Sequence, residues 1–430
     1  MSIQTSIDHA YQTFKHWKTT SFEERQSLFK QLAKIVEAHK ETFGNIITSE
    51  MNKPISQAIS EVEKSAGMID FYATIKNPLE VKTIDSGTDI SEVHPTPMGV
   101  ILGVMPWNYP FWQALRFAVP TILAGNTVVM KHASICTKSG DAIENAFLDA
   151  GFPKGIFQHL KVSHKDIETI LKHPAVQGVS LTGSEAAGSS VASIAGREIK
   201  KSVLELGGSD AFIVLEEANI EKAAQVGALA RLQNCGQTCV AAKRFIVHQN
   251  IKTAFLDAFI KEYKTYQPAN PFDKATTFSE MARADLADEL YKQYEKAIEH
   301  GAKVILPLER VSERAYIPGL IEVEKGNPIL EEELFGPLGM VLIAKDDAHA
   351  LELANDIPYG LGNAVWTENT EKAMKFARDL DSGTVAINSM TKSDARLPFG
   401  GAKKSGYGTE LSIDALKEFT YPKTIRGSKS

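Results

Sequence analysis

The chain has 430 residues, of which 43% are hydrophobic and 23% are charged, and its formal net charge is −6. Such a length fits roughly two or three domains, its glycine and proline contents exclude a fibrous or disordered protein, and its mild acidity argues against a nucleic-acid binder. Three cysteines provide no disulfide framework and no secretory signal begins the chain, so we expect a cytoplasmic protein.

The predicted elements begin with helices. Ser21 and Glu24 have the spacing of a capping box, and the apolar residues after them recur at helical intervals. Residues 85–97 are polar and contain Gly and Pro, which predicts a short extended piece between loops. From there, apolar runs typical of strands alternate with helical stretches, and this alternation predicts an α/β protein with mostly parallel sheets. The predicted strands are 99–105, 127–130, 176–181, 211–215, 245–247, 340–344, 363–367 and 384–387.

One long apolar stretch raises the question of a membrane span. Between His94 and Lys131 the only charged side chain is Arg116. A spanning helix needs about 20 predominantly apolar residues, and three prolines interrupt every window of that length here. The stretch therefore favours buried strands and a buried helix over membrane contact.

Four short motifs contain residue types that can carry chemistry. Cys239 follows a glycine-containing turn, so it is either a thiolate nucleophile or a buried structural cysteine. Glu205 stands between leucines and precedes two glycines, so it is either a general base with a raised pKa or a salt-bridged glutamate. Asn108 lies between two prolines that restrict its backbone, and a rigid amide can donate to an oxyanion. The turn Thr182-Gly-Ser184 joins a strand to a helix and can present N–H groups to a phosphate, although a full dinucleotide or Walker fingerprint is absent.

Seven motifs stand in an order that resembles the aldehyde dehydrogenase superfamily. Gln237–Arg244, Ser393–Arg396 and Lys403–Gly408 are most similar to the bacterial succinate-semialdehyde dehydrogenases, and the resemblance covers nearly the whole chain. The seven motifs are Pro106-Trp-Asn-Tyr-Pro110, Lys131-His-Ala133, Thr182-Gly-Ser184, Glu205-Leu-Gly-Gly208, Gly236-Gln-Thr-Cys239, Glu333-Leu-Phe-Gly-Pro337 and Pro398-Phe-Gly-Gly401 with Lys404-Ser-Gly406.

The resemblance implies a reaction and a role for each motif. Cys239 would attack an aldehyde, Asn108 would hold the oxyanion, and Glu205 would activate the water that hydrolyses the resulting thioester. Glu410 would be a supporting carboxylate with a role in proton transfer. The implied binding residues for a nicotinamide cofactor are Trp107, Lys131, Ser134, Gly183, Ser184, Glu333 and Phe335. No metal is implied.

The identity of the cofactor and the substrate depends on a few positions. Relatives that prefer NAD often carry a glutamate where Ser134 stands, so we expect NADP to be accepted and slightly favoured over NAD. Arg116 would clamp the distal carboxylate of succinate semialdehyde; the alternative is an internal salt bridge. Arg231 would compensate for an arginine that some relatives carry at the position of Gln233, and Ser393 would close the same pocket. The rival substrates are another ω-carboxy aldehyde and an aliphatic aldehyde.

The resemblance also implies a domain division and an oligomer. Residues 1–76 and 98–208 would form a Rossmann-like cofactor domain, 209–411 an α/β catalytic domain, and 77–97 with 412–430 a small β bridging element. Such an element implies a homodimer or homotetramer, with the strand-like tail from Thr420 pairing with another subunit. Cys235 is either a redox partner of Cys239 or a small neutral filler. A catalytically silent structural member of the fold is the rival from another class.

Overall fold

The computed structural model describes residues 2–429, and its helices alternate with strands from residue 100 onward. The capping box at Ser21 and Glu24 is present and begins the helix Phe22–Ala38, as the sequence predicts. The helices are Ile3–Trp17, Phe22–Ala38, Lys40–Met51, Ile55–Thr74, Pro110–Leu123, Thr137–Asp149, Ile167–Lys172, Glu185–Arg197, Ile220–Leu232, Lys252–Tyr263, Ala284–Glu299, Asp347–Asn355, Thr370–Asp379 and Ala415–Glu418, with short 3-10 turns at Ser134–Cys136, His164–Asp166, Gln233–Gly236, Gln249–Ile251 and Pro328–Glu331.

The first sheet has six strands, and three of the four chemical motifs lie at the carboxyl ends of its strands: Asn108, Thr182-Gly-Ser184 and Glu205. Five of its strands are parallel, and a sixth, Gly406–Tyr407, pairs antiparallel with Lys201–Glu205 at one edge. This edge strand lies in the span that the predicted domain division gives to the catalytic domain, so the two regions share a sheet. In spatial order the strands are Gly406–Tyr407, Lys201–Glu205, Val176–Thr182, Val100–Met105, Thr127–His132 and Phe157–His159.

The second sheet has seven strands and a single antiparallel edge, Lys303–Leu306. Arg244–His248, the strand that follows Cys239, lies in the middle of this sheet, where both faces are covered. All eight strands that the sequence predicts are present in these two sheets, with ends within two residues of the prediction. In spatial order the strands are Lys303–Leu306, Gly319–Glu322, Leu338–Ala344, Arg244–His248, Ala211–Val214, Gly362–Trp366 and Thr384–Ile387.

The third sheet is small and antiparallel. It consists of Lys82–Thr83, Ile90–Pro97 and Thr420–Gly427, and the last two strands are paired along eight positions. One edge of the carboxyl-terminal strand therefore pairs inside its own chain. Its other edge has no partner strand within residues 2–429, and the expected pairing with another subunit stays a prediction. Two-stranded ribbons join Glu309–Arg310 with Tyr316–Ile317, and Tyr359–Gly360 with Ala402–Lys403.

Each large sheet is covered by helices. One hydrophobic core surrounds the second sheet. The first sheet has one core on each of its two faces. The long apolar stretch becomes the buried strand Val100–Met105, the buried helix Pro110–Leu123 and the strand Thr127–His132. Across residues 2–429, none of the helices combines the length and apolar character that a bilayer crossing demands. The architecture confirms the predicted α/β class, while the domain boundaries stay a prediction.

Candidate active site

Cys239 lies between two cavities and lines both of them. The helix-side cavity, about 290 Å³, has walls from Ile55–Thr74 and Pro110–Leu123 and is closed by residues 390–393. The sheet-side cavity, about 220 Å³, lies at the carboxyl ends of the first sheet's strands. Asn108 and Glu205 line the sheet-side cavity, and Arg116 lines the helix-side cavity. The structure thus places Asn108 and Glu205, two of the three candidate catalytic residues, in the wall of a cavity that the third, Cys239, also lines.

The turn before Cys239 is an unusual piece of backbone. Asn234, Cys235 and Gly236 all have positive φ, at 54°, 56° and 73°. A Cβ on Gly236 would lie 2.4 Å from the carbonyl oxygen of Gly336, so only glycine fits there. This turn connects the helix Ile220–Leu232 to the segment that contains Cys239. The segment lies where the two cavities meet.

Arg231 lines neither cavity, so the structure gives the predicted compensation for Gln233 no geometric support, and that role stays a prediction. Its side chain is 0% exposed and lines neither cavity. Its Nη2 donates to the carbonyl oxygens of Gly236, at 2.9 Å, Leu334, at 3.2 Å, and Gly336. One nitrogen of the guanidinium therefore fixes the nucleophile turn by donating to backbone carbonyls, while Nε and Nη1 have no hydrogen-bond partner among residues 2–429.

The side chain and the carbonyl of Asn108 are both held in place. Its Nδ2 donates to the carbonyl oxygen of Gln237 at 3.0 Å. Its own carbonyl oxygen accepts from Nζ of Lys53 at 2.7 Å and from Nδ2 of Asn234 at 3.0 Å. An amide nitrogen has two hydrogens, so a second donor remains beside the sheet-side cavity. This arrangement suits an oxyanion donor that needs no reorganisation.

A buried ion pair supports this turn, and sequence reasoning missed it. Lys53 and Glu61 form a salt bridge with both side chains at most 1% exposed. Glu61 Oε1 also accepts the N–H groups of Phe111, at 2.9 Å, and Trp112, at 3.1 Å, at the start of the helix Pro110–Leu123. Lys53 Nζ lies 3.6 Å from the ring centre of Tyr109. The pair therefore ties the two helices of the cavity wall to the Asn108 turn.

Glu205 ends its strand as a buried carboxylate. It is 2% exposed, and its Oε1 has no hydrogen-bond partner among the described residues. Burial raises the pKa of Glu205 well above its ordinary value, and the nearby positive charge of Arg116 opposes the shift. A desolvated carboxylate with free acceptor capacity at a cavity wall has the properties of a general base, as the sequence analysis expected.

Arg116 already has an acidic partner. Its guanidinium is paired with Glu410, both side chains are at most 4% exposed, and it stacks 4.6 Å from the ring centre of Phe399. Glu410 also accepts from Ser180 at 3.2 Å. This is the internal salt bridge that the sequence analysis named as the alternative to a substrate clamp. Arg116 still lines the helix-side cavity, so the clamp stays a prediction.

Ser393 lines the helix-side cavity together with a lysine that the sequence analysis did not single out. Ser393 Oγ accepts from Nζ of Lys64 at 2.8 Å, and that ammonium lies 4.1 Å from the ring centre of Trp112. Burial of its ammonium end, then the nearby charge of Arg116, lower the pKa of Lys64 to about 8, although the residue as a whole keeps contact with solvent. Arg396, in contrast, is exposed and paired with Asp394.

Burial also acts on the nucleophile. It raises the pKa of the Cys239 thiol to about 11, against the opposing charges of Lys243 and Arg116. Lys243 donates to the carbonyl oxygens of Cys239 and of Thr238, the latter at 3.0 Å, and to Oε1 of Glu333 at 3.0 Å. Lys243 thus links the nucleophile segment to one of the predicted cofactor ligands.

The predicted cofactor residues fall into two groups. Five of them line the sheet-side cavity: Trp107, Gly183, Ser184, Glu333 and Phe335. The rings of Trp107 and Phe335 meet edge to face at 5.7 Å, and Ser184 caps the helix Glu185–Arg197. Lys131 and Ser134 lie outside the wall of that cavity: burial lowers the pKa of Lys131, and Ser134 is exposed at the start of a 3-10 turn.

Cys235 is buried away from both cavities. It is 1% exposed, and its Sγ lies 3.2 Å from the carbonyl oxygen of Ser279. Burial raises the pKa of the Cys235 thiol far above its ordinary value. These observations support the structural alternative and leave the redox pairing with Cys239 as a prediction without a geometric argument.

Comparison with known proteins agrees with this geometry. The family model described as the aldehyde dehydrogenase family matches residues 1–425. The chain belongs to the aldehyde dehydrogenase family. It is 40% identical, over 99% of its length and 90% of the relative, to a protein named succinate-semialdehyde dehydrogenase [NADP(+)] from Deinococcus radiodurans. It is 39% identical, over 98% of its length and 92% of the relative, to succinate semialdehyde dehydrogenase [NAD(P)+] Sad of Escherichia coli.

A solved structure extends the comparison to the fold. The crystal structure of succinic semialdehyde dehydrogenase from Streptococcus pyogenes in complex with NADP+ matches with a TM-score of 0.95 and 34% identity. The match covers 99% of this chain and 95% of that one. The family resemblance that the motifs predicted is therefore confirmed for this aldehyde dehydrogenase, as is the fold.

Sequence reasoning missed the residues that hold this aldehyde dehydrogenase site together. Lys53, Glu61 and Lys64 all come from the first 64 residues, far along the chain from the motifs they touch. A spacing signal existed for two of them, because Glu61 and Lys64 are three positions apart on one helix face. Lys243 lies inside the motif that contains Cys239, and its position four residues later was an available clue.

Proposed function

We propose that this protein oxidises succinate semialdehyde to succinate, with NADP or NAD as hydride acceptor, through a thioester on Cys239. The observation that carries the proposal is the position of Cys239 between two cavities, one with Asn108 and Glu205 and the other with positively charged side chains. The names of the D. radiodurans and E. coli relatives support the same substrate and cofactors.

The first chemical step is the attack of sulfur on the aldehyde carbon. The Cys239 thiol loses its proton, and the thiolate adds to the carbonyl to give a thiohemiacetal anion. The remaining N–H of the Asn108 amide and the backbone N–H of Cys239 donate to the oxyanion. The short links from Lys53 and Gln237 keep that amide in position, so the donor costs little reorganisation.

The residues of the sheet-side cavity fit a nicotinamide dinucleotide. Ser184 begins a helix whose first N–H groups suit a pyrophosphate, and the absence of a side chain at Gly207 lets the Glu333 carboxylate approach this wall. Glu333 and Lys131 would bind ribose hydroxyls, and Phe335 with Trp107 would contact the ring. A nicotinamide bound there would supply the hydride acceptor that converts the thiohemiacetal on Cys239 to a thioester.

Glu205 then completes the reaction. Its carboxylate removes a proton from water, the hydroxide adds to the thioester carbon, and the thiolate of Cys239 leaves as the acid forms. Because its pKa is raised, the ionised form is a stronger base than an exposed glutamate. After Glu205 has passed its proton to solvent, the net products are one carboxylate, one reduced cofactor and two protons.

The choice between the two cofactors rests on Ser134. Its hydroxyl is exposed and can donate to a 2′-phosphate, whereas a glutamate there would repel it. We therefore expect a higher kcat/KM with NADP than with NAD. A strong preference for NAD would contradict this reading of Ser134.

An absorbance assay for the reduced cofactor tests the proposal. Purified enzyme is given succinate semialdehyde, butanal, hexanal and an ω-carboxy aldehyde of greater length, each with NADP and with NAD. The proposal expects the highest kcat/KM for succinate semialdehyde, and Cys239→Ala supplies the background rate. A higher kcat/KM for an uncharged or a longer aldehyde would show that succinate semialdehyde is not the preferred substrate. No turnover with any aldehyde would support a catalytically silent protein.

A further inference from the structure

The turn around Asn108 is held by its carbonyl oxygens as well as by its amide side chain. The Trp107 carbonyl oxygen accepts from Sγ of Cys136 at 3.6 Å. The Pro110 carbonyl oxygen lies 3.0 Å from Nε2 of His132. Both partners belong to one short stretch that runs from the end of a strand of the first sheet into a 3-10 turn. The oxyanion turn is therefore bound to this stretch on both sides of Asn108.

The same stretch contains two residues that the family resemblance assigns to the cofactor, Lys131 and Ser134. We call residues 131–136 the cofactor segment. Nζ of Lys131 donates to the carbonyl oxygen of His132 at 3.2 Å, and Ser134 is exposed at the start of the 3-10 turn. The segment that would receive one end of a dinucleotide is thus joined to the turn that holds the oxyanion donor.

The hydrogen bonds around the imidazole of His132 determine its tautomer. Nδ1 lies 2.9 Å from the backbone nitrogen of Ala133 and accepts that N–H, so Nδ1 carries no hydrogen. The ring hydrogen is therefore on Nε2, where it donates to the Pro110 carbonyl oxygen, which can only accept. Burial lowers the pKa of His132 to about 4, so the ring is neutral at pH 7. One ring nitrogen bonds within the cofactor segment, and the other reaches the oxyanion turn.

His132 can influence the reaction only through other residues. It is 3% exposed and lines neither cavity, so its ring does not meet substrate or cofactor. A second imidazole, that of His159, packs edge to face against it with ring centres 6.5 Å apart. Within residues 2–429, the ring of His159 bonds to Asp141, at 3.0 Å, and not to the oxyanion turn. The two neighbouring imidazoles therefore differ in their connection to Asn108.

We propose that His132 is a positioning residue that fixes the cofactor segment relative to the oxyanion turn through its bond to the Pro110 carbonyl. The inference rests on the proposed function and adds a residue that supports it from behind the site. Hydride transfer depends on the mutual placement of the nicotinamide and the thiohemiacetal, and a misplacement of about 1 Å costs about 10²-fold in rate. The cofactor segment would support one reactant and Asn108 the other, so a bond between the two supports limits that error.

The test uses two variants that each keep one of the two ring hydrogen bonds. An asparagine side chain ends where Nδ1 of the ring stands, so His132→Asn keeps the acceptor for Ala133 and loses the bond to Pro110. A glutamine side chain reaches the place of Nε2, so His132→Gln keeps a donor for Pro110. We expect the Kd of NADP to rise at least fivefold in His132→Asn and to stay within twofold in His132→Gln, because an unpaired buried group costs about fivefold or more. Quenching of tryptophan fluorescence measures Kd.

A reaction without cofactor reports on the oxyanion turn. The Cys239 thiolate takes the acetyl group of p-nitrophenyl acetate through a tetrahedral oxyanion and releases p-nitrophenolate. Iodoacetamide alkylates the same sulfur by displacing iodide, with no oxyanion. Acylation should slow at least fivefold in His132→Asn and recover in His132→Gln, while alkylation stays within twofold in both. His159→Asn is the control at the neighbouring imidazole and leaves both rates within twofold.

Three results would overturn the inference. They are an unaffected His132→Asn, equal losses in His132→Asn and His132→Gln, and a parallel loss of alkylation, which would indicate a general disturbance of the fold. The proposed function fails in a different way. Wild-type enzyme that is alkylated but not acylated would count against Asn108 as the oxyanion donor, and the inference would fall with it.

A measurement on the wild-type enzyme keeps the inference testable if the variants do not fold. Neutron diffraction from crystals grown with NADP locates the ring hydrogens directly. We expect a hydrogen on Nε2 of His132 that is directed at the Pro110 carbonyl oxygen, and NADP in contact with Lys131. A hydrogen on Nδ1, or NADP bound away from the cofactor segment, would contradict the positioning role.

Discussion

The two cavities that meet at Cys239 differ in whether Glu61 and Arg116 on one side, and Glu205 and Asn108 on the other, already use their hydrogen-bonding groups. On the helix side, the buried charges of Glu61 and Arg116 are paired with partners outside the cavity. On the sheet side, Glu205 keeps an oxygen without a partner and Asn108 keeps a free amide hydrogen. Paired charges build a stable wall, whereas groups with unused hydrogen-bond capacity can act on a reacting molecule. On the proposed function, the helix side would bind the substrate and the sheet side would carry out the chemistry.

The largest effect on the reaction rate is expected from replacing Glu205, whose carboxylate has an oxygen without a hydrogen-bond partner among residues 2–429. Glu205→Gln removes the base and keeps the shape, so hydrolysis of the thioester slows by about 10²–10⁴-fold. The first turnover remains visible as a burst of reduced cofactor in rapid-mixing experiments. Mass spectrometry of the quenched variant then finds Cys239 acylated. A steady-state rate within threefold of wild type would show that Glu205 is not the base.

On the helix side, the expected effect is on stability. Lys53→Met leaves Glu61 buried without its partner, and breaking such a pair costs about 3–5 kcal/mol of unfolding free energy. Urea denaturation followed by fluorescence measures the loss. The matched control is Lys40→Met, which breaks an exposed pair with Glu37 and Glu63 and leaves the midpoint nearly unchanged. Similar midpoints for both variants would show that the buried pair does not support the wall.

The sulfur between the two cavities gives a pH dependence. Because burial raises the pKa of Cys239 to about 11, the thiolate fraction grows about tenfold for each pH unit between 7 and 9. Alkylation of the free enzyme by iodoacetamide should accelerate by the same factor. Cys239→Ser, which leaves the other two cysteines in place, gives the background rate. A rate independent of pH over this range would mean that the thiol is already ionised.

The smallest effect concerns the cysteine that lies in neither cavity. Cys235→Ser should leave kcat and KM within twofold of wild type, since Cys235 is buried in the core around the second sheet and its Sγ donates to the carbonyl oxygen of Ser279. Peroxide should inactivate both proteins equally, and dithiothreitol should restore them to the same extent. Recovery in wild type that is lost in Cys235→Ser would instead establish the disulfide switch.

Local patterns predicted the elements of this fold well. Apolar runs bounded by turn residues predicted all eight strands correctly, because a strand that is buried on both faces consists almost entirely of apolar residues. Short strands such as Phe157–His159 and Gly406–Tyr407 were missed, since two or three residues carry no period of their own. The order of the motifs predicted the family, which the comparison confirms.

The sequence predicted the site residues whose neighbours in the sequence indicate their function, and it did not predict the partners that are distant along the chain. Cys239, Asn108 and Glu205 lie around the same cavity, because Asn108 and Glu205 stand at the carboxyl ends of strands of the first sheet and Cys239 stands in the segment before the strand Arg244–His248. Arg116 and Arg231 were harder, because a buried guanidinium demands an acceptor and the sequence does not say which one. The acceptors are Glu410, 294 positions later, and three backbone carbonyls. Such pairings depend on tertiary structure and leave no spacing signal.

The edge strand Gly406–Tyr407 has a consequence for when the enzyme becomes active. It pairs beside Glu205, yet it is made roughly 200 residues later, which is about 10–40 s at usual rates of protein synthesis. During that time Glu205 has been synthesised, but the edge strand that pairs beside it is still absent. Dehydrogenase activity should begin only when synthesis is nearly complete, so a chain interrupted before this strand would release no working catalyst.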